Sequence, residues 1–97
     1  MYEQLGEAIA RARNRADLTQ PELAERIGKS HQTVSAYERG TVDIPFSVLV
    51  SIAEATDTRL YELLGYSEHP VIEELSHDDR WTVAYLLIPR ELIGERQ

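Results

Sequence analysis

The sequence predicts an all-α fold: five helices around one small core over residues 1–65, followed by a short helical appendix over 66–97. Three observations predict it. Apolar residues recur at helical spacing through the first two thirds of the chain, and capping residues, prolines and glycines interrupt that spacing about once per helix. No internal repeat, low-complexity stretch or convincing strand competes with it. At 97 residues the chain holds one domain with an appendix, enough for a core without disulfide or metal staples.

The first helix, from about Tyr2 to Arg15, turns Leu5, Ile9 and Ala12 inward and stops at Ala16-Asp17. Thr19 and Glu22 form an S/T-x-x-E capping box for the second helix, with Pro21 in the first turn, where a missing N–H costs nothing. Leu23, Ala24 and Ile27 make its inner face. Gly28 occupies the left-handed position that ends the helix, and Ser30 caps the next through its hydroxyl. That third helix runs from about His31 to Arg39. Val34, Tyr37 and Glu38 share one face of it, and His31, Gln32, Ser35, Ala36 and Arg39 point the other way. Pro45 suits the first turn of a fourth helix carrying Phe46, Leu49, Val50, Ile52 and Ala53. Thr58 is expected to cap a fifth, in which Leu60, Leu63 and Leu64 face the core and Gly65 closes the end.

The stretch YSEHP after Gly65 has turn composition and marks the domain boundary. Val71, Ile72 and Leu75 predict a short helix after Pro70, and Ser76 with Asp79 would open a last helix running to Pro89. That helix would be apolar on nearly every side: Trp81, Ala84, Tyr85 and Ile88 lie on one face, Val83 and Leu87 extend it, and Leu86 lies apart. A helix apolar all round belongs in a core or between chains. Trp81, Ala84, Tyr85, Leu87 and Ile88, with Leu92 and Ile93, are therefore expected to join two copies as a homodimer through their C-terminal helices. The alternative is that the appendix folds back on the first and fifth helices.

Composition narrows the function classes. With no cysteine there is no disulfide, thiolate metal site or cysteine nucleophile. The segment MYEQLGEAIARAR is amphipathic and carries two glutamates in its first seven residues, unlike a signal peptide. The longest apolar run, Val83 to Pro89, is too short to span a bilayer, so no membrane contact and a cytoplasmic location are expected. His69 and His77 lie near acids without metal-ligand spacing. No nucleophile elbow, phosphate loop or paired-carboxylate pattern occurs. The expectation is a protein without cofactor, metal or enzymatic activity. Ten basic against seventeen acidic residues leave a net charge of −7. Seven basic and ten acidic residues fall before Tyr66, and three and seven after it. Contact with phosphate depends on the field within a Debye length of about 8 to 10 Å, rather than on the sum. Lys29 and Arg39 flank the third helix, and Arg11 and Arg15 are exposed on the first.

The stretch LTQPELAERIGKSHQTVSAYERG, Leu18 to Gly40, thus reads as helix, tight turn, helix. The ordered set Arg13, Leu18-Thr19-Gln20, Glu22-Leu23-Ala24, Gly28, Val34, Tyr37-Glu38-Arg39-Gly40, Ile52-Ala53 and Leu63-Leu64-Gly65 resembles the phage repressor and Cro-like (XRE) helix-turn-helix family over roughly Leu5 to Gly65. The resemblance implies a five-helix, lambda-repressor-like domain that binds double-stranded DNA with its third helix in the major groove. It implies base reading by His31, Gln32, Ser35 and Ala36. Gln32 would pair with adenine N6 and N7, the Ala36 methyl would meet a thymine methyl, and His31 would accept or donate according to its tautomer. Gln20 would hold a phosphate with the backbone N–H groups of its helix terminus, and Lys29, Thr33, Arg39 and Thr41 would add backbone contacts. Arg13 would pair with Glu38, locking the first helix to the third. This chain departs from the family in Asp17, where glycine or asparagine is usual, in Lys29, which replaces an apolar turn residue, and in a loop Thr41 to Ile44 without a basic residue.

Three readings follow. The first is a homodimeric transcriptional regulator, a repressor reading a pseudo-palindromic operator. The second is an antitoxin that autoregulates its operon while its appendix covers a toxin. The third is a protein-interaction module that has lost DNA binding, its partner held by the appendix.

Overall fold

The computed structural model describes residues 2–75 and 80–92. The chain divides into two compact units, Met1–Gly65 and Tyr66–Gln97. Five helices build the first: α1 (Glu3–Arg15), α2 (Gln20–Ile27), α3 (His31–Arg39), α4 (Phe46–Ala55) and α5 (Leu60–Leu63). The mostly helical fold is the one the sequence predicts.

Local chemistry sets the helix ends. Thr19 Oγ1 accepts from the Glu22 N–H at 3.2 Å and the Glu22 carboxylate accepts from the Thr19 N–H at 2.8 Å, a complete capping box. Gly28 ends α2 at φ 71°, where a Cβ would be strained, and Ser30 Oγ accepts from the Thr33 N–H at 3.1 Å to open α3. Asp17 and Asp57 take the same left-handed backbone after α1 and α4, at φ 59° and 53°.

Each of the four longer helices gives the core one fully buried side chain: Ile9, Leu23, Val34 and Ile52. Around them pack Ala12, Leu18, Ala24, Tyr37, Leu49 and Leu63, with Leu5, Ile27 and Leu60 partly covered. Gly6 lets α1 approach the end of α3 closely, since a Cβ there would lie 2.5 Å from the Glu38 carbonyl oxygen. Gly40, at φ 73°, would place a Cβ 2.7 Å from the backbone of Glu3.

Three details of the helical unit differ from the sequence reading. Pro45 stands at the N-cap of α4 instead of inside its first turn. Thr58 does not cap α5: its hydroxyl is buried, donating to the Thr56 carbonyl at 3.2 Å, and the Glu62 carboxylate reaches back to the Arg59 N–H instead. Leu64, expected to face the core, is 47% exposed, and in α4 Val48 fills the core while Phe46 is 65% exposed.

The larger correction is beyond Gly65, where the helical appendix is a β-hairpin. Strands β1 (Tyr66–Leu75) and β2 (Arg80–Pro89) pair antiparallel, with Tyr66 opposite Pro89, Val71 opposite Ala84 and Leu75 opposite Arg80. Arg90–Leu92 add one 3-10 turn. Trp81, Ala84, Tyr85 and Ile88 fit a helical spacing, but Trp81, Val83, Tyr85 and Leu87 fit a strand period equally well. Trp, Thr, Val, Tyr and Ile are strand formers, and a ten-residue partner lies four residues upstream. The C-terminal helix on which the dimer expectation was built is strand β2. The expected cap by Ser76 and Asp79, His77 and Ile93 lie outside the described residues.

Candidate nucleic-acid interface

The N-terminal end of α3 presents an exposed polar edge on a rigid support. His31, Gln32 and Arg39 are exposed, Thr33, Ser35 and Ala36 are half-buried, and Val34 and Tyr37 are sunk in the core behind them. The i, i+3 spacing of the two buried residues fixes which side of α3 looks outward.

Three elements are tied together behind this edge by one polar chain. Arg13 of α1 donates to both oxygens of Glu38 on α3, Nε to Oε2 at 2.6 Å and Nη2 to Oε1 at 3.0 Å. The two side chains are 14% and 8% exposed, so this ion pair is largely shielded from water. Its hydrogen bonds raise the Arg13 guanidinium above its ordinary range, against the opposing effect of burial. Arg13 also donates to the Leu18 carbonyl at 2.9 Å, fixing the α1–α2 turn. Gln20, the first residue of α2, donates from Nε2 to Glu38 Oε1 at 2.9 Å and meets His31 Nε2 through its Oε1 at 3.0 Å.

The remaining expected site residues fall around this chain. Lys29 is exposed in the turn, its backbone N–H closing α2 on the Ala24 carbonyl. Thr33 shares its hydroxyl with Ser30 Oγ at 2.9 Å. Arg39 donates to Ser35 Oγ on the outer face, and the Thr41 hydroxyl and N–H both turn back on the Ala36 carbonyl. Two arginines of the helical unit are engaged elsewhere: Arg15 donates to Thr58 Oγ1 at 3.3 Å and Arg26 to the Ala55 carbonyl. Arg15 therefore leans toward the α4–α5 junction. A cavity of about 360 Å³ is lined by residues of α4, α5 and the turn between them, with no residue of α2 or α3.

The double role of Gln20, bonded to both ends of α3, escapes sequence reasoning because no spacing rule links positions 20, 31 and 38. The glycine at position 6 was the available signal for the α1–α3 approach, since a mid-helix glycine is costly unless something needs the space.

The family model described as helix-turn-helix matches residues 9–63. The chain belongs to the helix-turn-helix family. Among solved structures it is similar to the restriction-modification controller protein C.AhdI from Aeromonas hydrophila, at 26% identity over 64% of this chain and 94% of that one, with a TM-score of 0.61. The clp gene regulator ClgR from Corynebacterium glutamicum is 30% identical over 65% of this chain and 67% of its own, with a TM-score of 0.63. SinR, a master regulator for biofilm formation solved in complex with DNA, is 26% identical over 62% of this chain and 97% of its own, at a TM-score of 0.57. No curated protein matches the chain. Among the described residues, no group of three His, Cys, Asp or Glu side chains is arranged to hold a metal ion, and no helix is long and apolar enough to cross a membrane.

Proposed function

We propose that this chain is a sequence-specific DNA-binding transcription regulator that acts as a homodimeric repressor on a pseudo-palindromic operator. The observation that carries the reading is the outward edge of α3, held to α1 and α2 by the Arg13–Glu38–Gln20 chain and backed by buried Val34 and Tyr37. Similarity to SinR, solved with DNA, supports the same use of the fold.

In this reading α3 lies in the major groove, with His31 and Gln32 at base edges and Ser35 and Ala36 further along. Gln32 pairs with adenine, and the Ala36 methyl meets thymine. Lys29, Thr33, Arg39 and Thr41 fix the register on phosphates, as does Gln20 through the second N–H of Nε2, the first being held by Glu38. The capping box takes the N–H groups of Thr19 and Glu22, and Pro21 has none, so the α2 terminus offers few backbone donors to a phosphate. Dimerisation supplies the missing affinity: two half-sites one helical turn apart, about 34 Å, are engaged together. The hairpin is the proposed dimer element, because a two-stranded ribbon alone is marginally stable in water.

Selection from a random duplex pool, wild type against Gln32→Ala, tests this. The expected result is a palindromic consensus that relaxes at one position in each half-site on substitution. No enrichment by a folded protein overturns the reading and favours the interaction module.

A further inference from the structure

We propose that His31 reads its base through Nδ1, because Glu38, acting through Gln20, commits Nε2 to an intramolecular bond, so that the preferred base changes when the imidazole is protonated. The inference rests on the DNA-binding reading above and adds which atom is used and which bases it takes.

A carboxylate paired with a guanidinium only accepts, so the Gln20 group facing Glu38 at 2.9 Å is the amide NH₂. The other end of the same amide, Oε1, therefore faces His31. A carbonyl oxygen also only accepts, so the partner at 3.0 Å, His31 Nε2, carries the proton. A neutral imidazole has one N–H, which leaves Nδ1 a bare acceptor. The orientation of Gln20 and the tautomer of His31 are thus both set by Glu38, whose own geometry is fixed by two bonds from Arg13. Glu38 and Gln20 are positioning residues, and His31 is the reader.

The consequence is a choice of base. In the major groove cytosine presents only the N4 amino donor and guanine only the O6 and N7 acceptors. A neutral His31 prefers cytosine, and an imidazolium, with Nδ1–H added, prefers guanine, which offers two acceptors where thymine offers O4 alone. Adenine presents both kinds of group and is insensitive. The Glu22 carboxylate on α2 is turned to the Thr19 N–H, Glu38 on α3 is held by Arg13 of α1, and Lys29 in the turn is the nearest cation along the chain.

The test is selection from a random duplex pool at about pH 8 and about pH 5, limits that bracket ordinary imidazole protonation. Wild type is expected to exchange cytosine for guanine at one position per half-site, with a preference of about three- to tenfold each way, the size of one hydrogen bond. His31→Gln, which leaves the Arg13–Glu38 pair in place, is expected to give a single pH-independent preference there. A palindrome that enriches without this exchange overturns the proposal while leaving the DNA-binding reading standing. Absence of any enrichment overturns both. The free protein gives a second readout: ring ¹⁵N shifts at high pH should show His31 protonated at Nε2, and Gln20→Met should mix the two tautomers. A neutral ring protonated at Nδ1 overturns the proposal without any DNA.

Discussion

At the scale of single residues, the helical unit depends on a few positions where side-chain size or backbone angle leaves little choice. A methyl at Gly6 would lie 2.5 Å from the Glu38 carbonyl oxygen and 2.7 Å from that of Tyr37, both backbone atoms that cannot swing away. Gly6→Ala is expected to destabilise by about 1 to 3 kcal/mol despite the better helix propensity of alanine, as read by urea denaturation. The ion pair behind it is the other sensitive point. Arg13→Met strips two bonds from a largely buried Glu38 and one from the Leu18 carbonyl, with an expected loss of about 2 to 4 kcal/mol. Because the pair raises the Arg13 pKa, its contribution is fully present below the unfolded guanidinium value and is lost only above the folded one, so alkaline pH short of that range should leave it unchanged. Asp17 and Asp57 work in the opposite sense. Each holds an acid in left-handed backbone at a helix C-terminus, where the helix dipole disfavours negative charge. Asp17→Asn and Asp57→Asn are each expected to raise stability by about 0.3 to 1 kcal/mol, visible as an upward shift in thermal midpoint.

At the scale of elements, the α2–turn–α3 unit was legible because its signals are local. A capping box, a left-handed glycine and a serine cap act over three or four residues, and the sequence prints them side by side. Thr19→Ala and Ser30→Ala are each expected to cost about 1 kcal/mol, measured by denaturation. Thr19→Ala also frees the Glu22 N–H for solvent or phosphate. Less legible was α5, whose cap was read as Thr58 because threonine is a common cap. In the fold that hydroxyl is spent on the buried Thr56–Thr58 pair. The hairpin was misread for a different reason. An apolar run such as Arg80 to Pro89 carries no periodicity that separates helix from strand, and the deciding partner, Tyr66–Leu75, is read only by asking what pairs with it. Val83→Pro, at a register position opposite Ile72, removes a backbone N–H from the middle of β2 and should disrupt the hairpin. Amide exchange over β1 and β2 should then rise, while the helical unit keeps its protection.

At the scale of the whole molecule, Met1–Gly65 is a compact unit of its own, with a buried apolar core running from Ala8 to Leu63. A chain ended after Gly65 is therefore expected to keep its helical circular dichroism and cooperative unfolding. If the hairpin joins two copies, it should sediment as a monomer and bind DNA more weakly. The acidic net charge sets the second expectation at this scale. With Arg13 committed to Glu38, and Arg15 and Arg26 engaged away from the outer edge of α3, Lys29 and Arg39 are the cations proposed for phosphate in each protomer. A dimer neutralising about four phosphates gives a slope of about −4 in log affinity against log salt, and Lys29→Gln should reduce its magnitude by about 2. By itself the sequence determined the five-helix domain, the places of α2 and α3 in it and the pairing of Arg13 with Glu38. The helices rest on caps and periodicity within a few neighbours, and the ion pair was legible through the family motif. Only the tertiary structure decided that Tyr66–Leu75 and Arg80–Pro89 pair as strands, that Gly6 is where α1 meets α3, and that Gln20 joins Glu38 to His31. Each of these is a meeting of segments distant along the chain, and no local pattern encodes the distance between two side chains that come together only after folding.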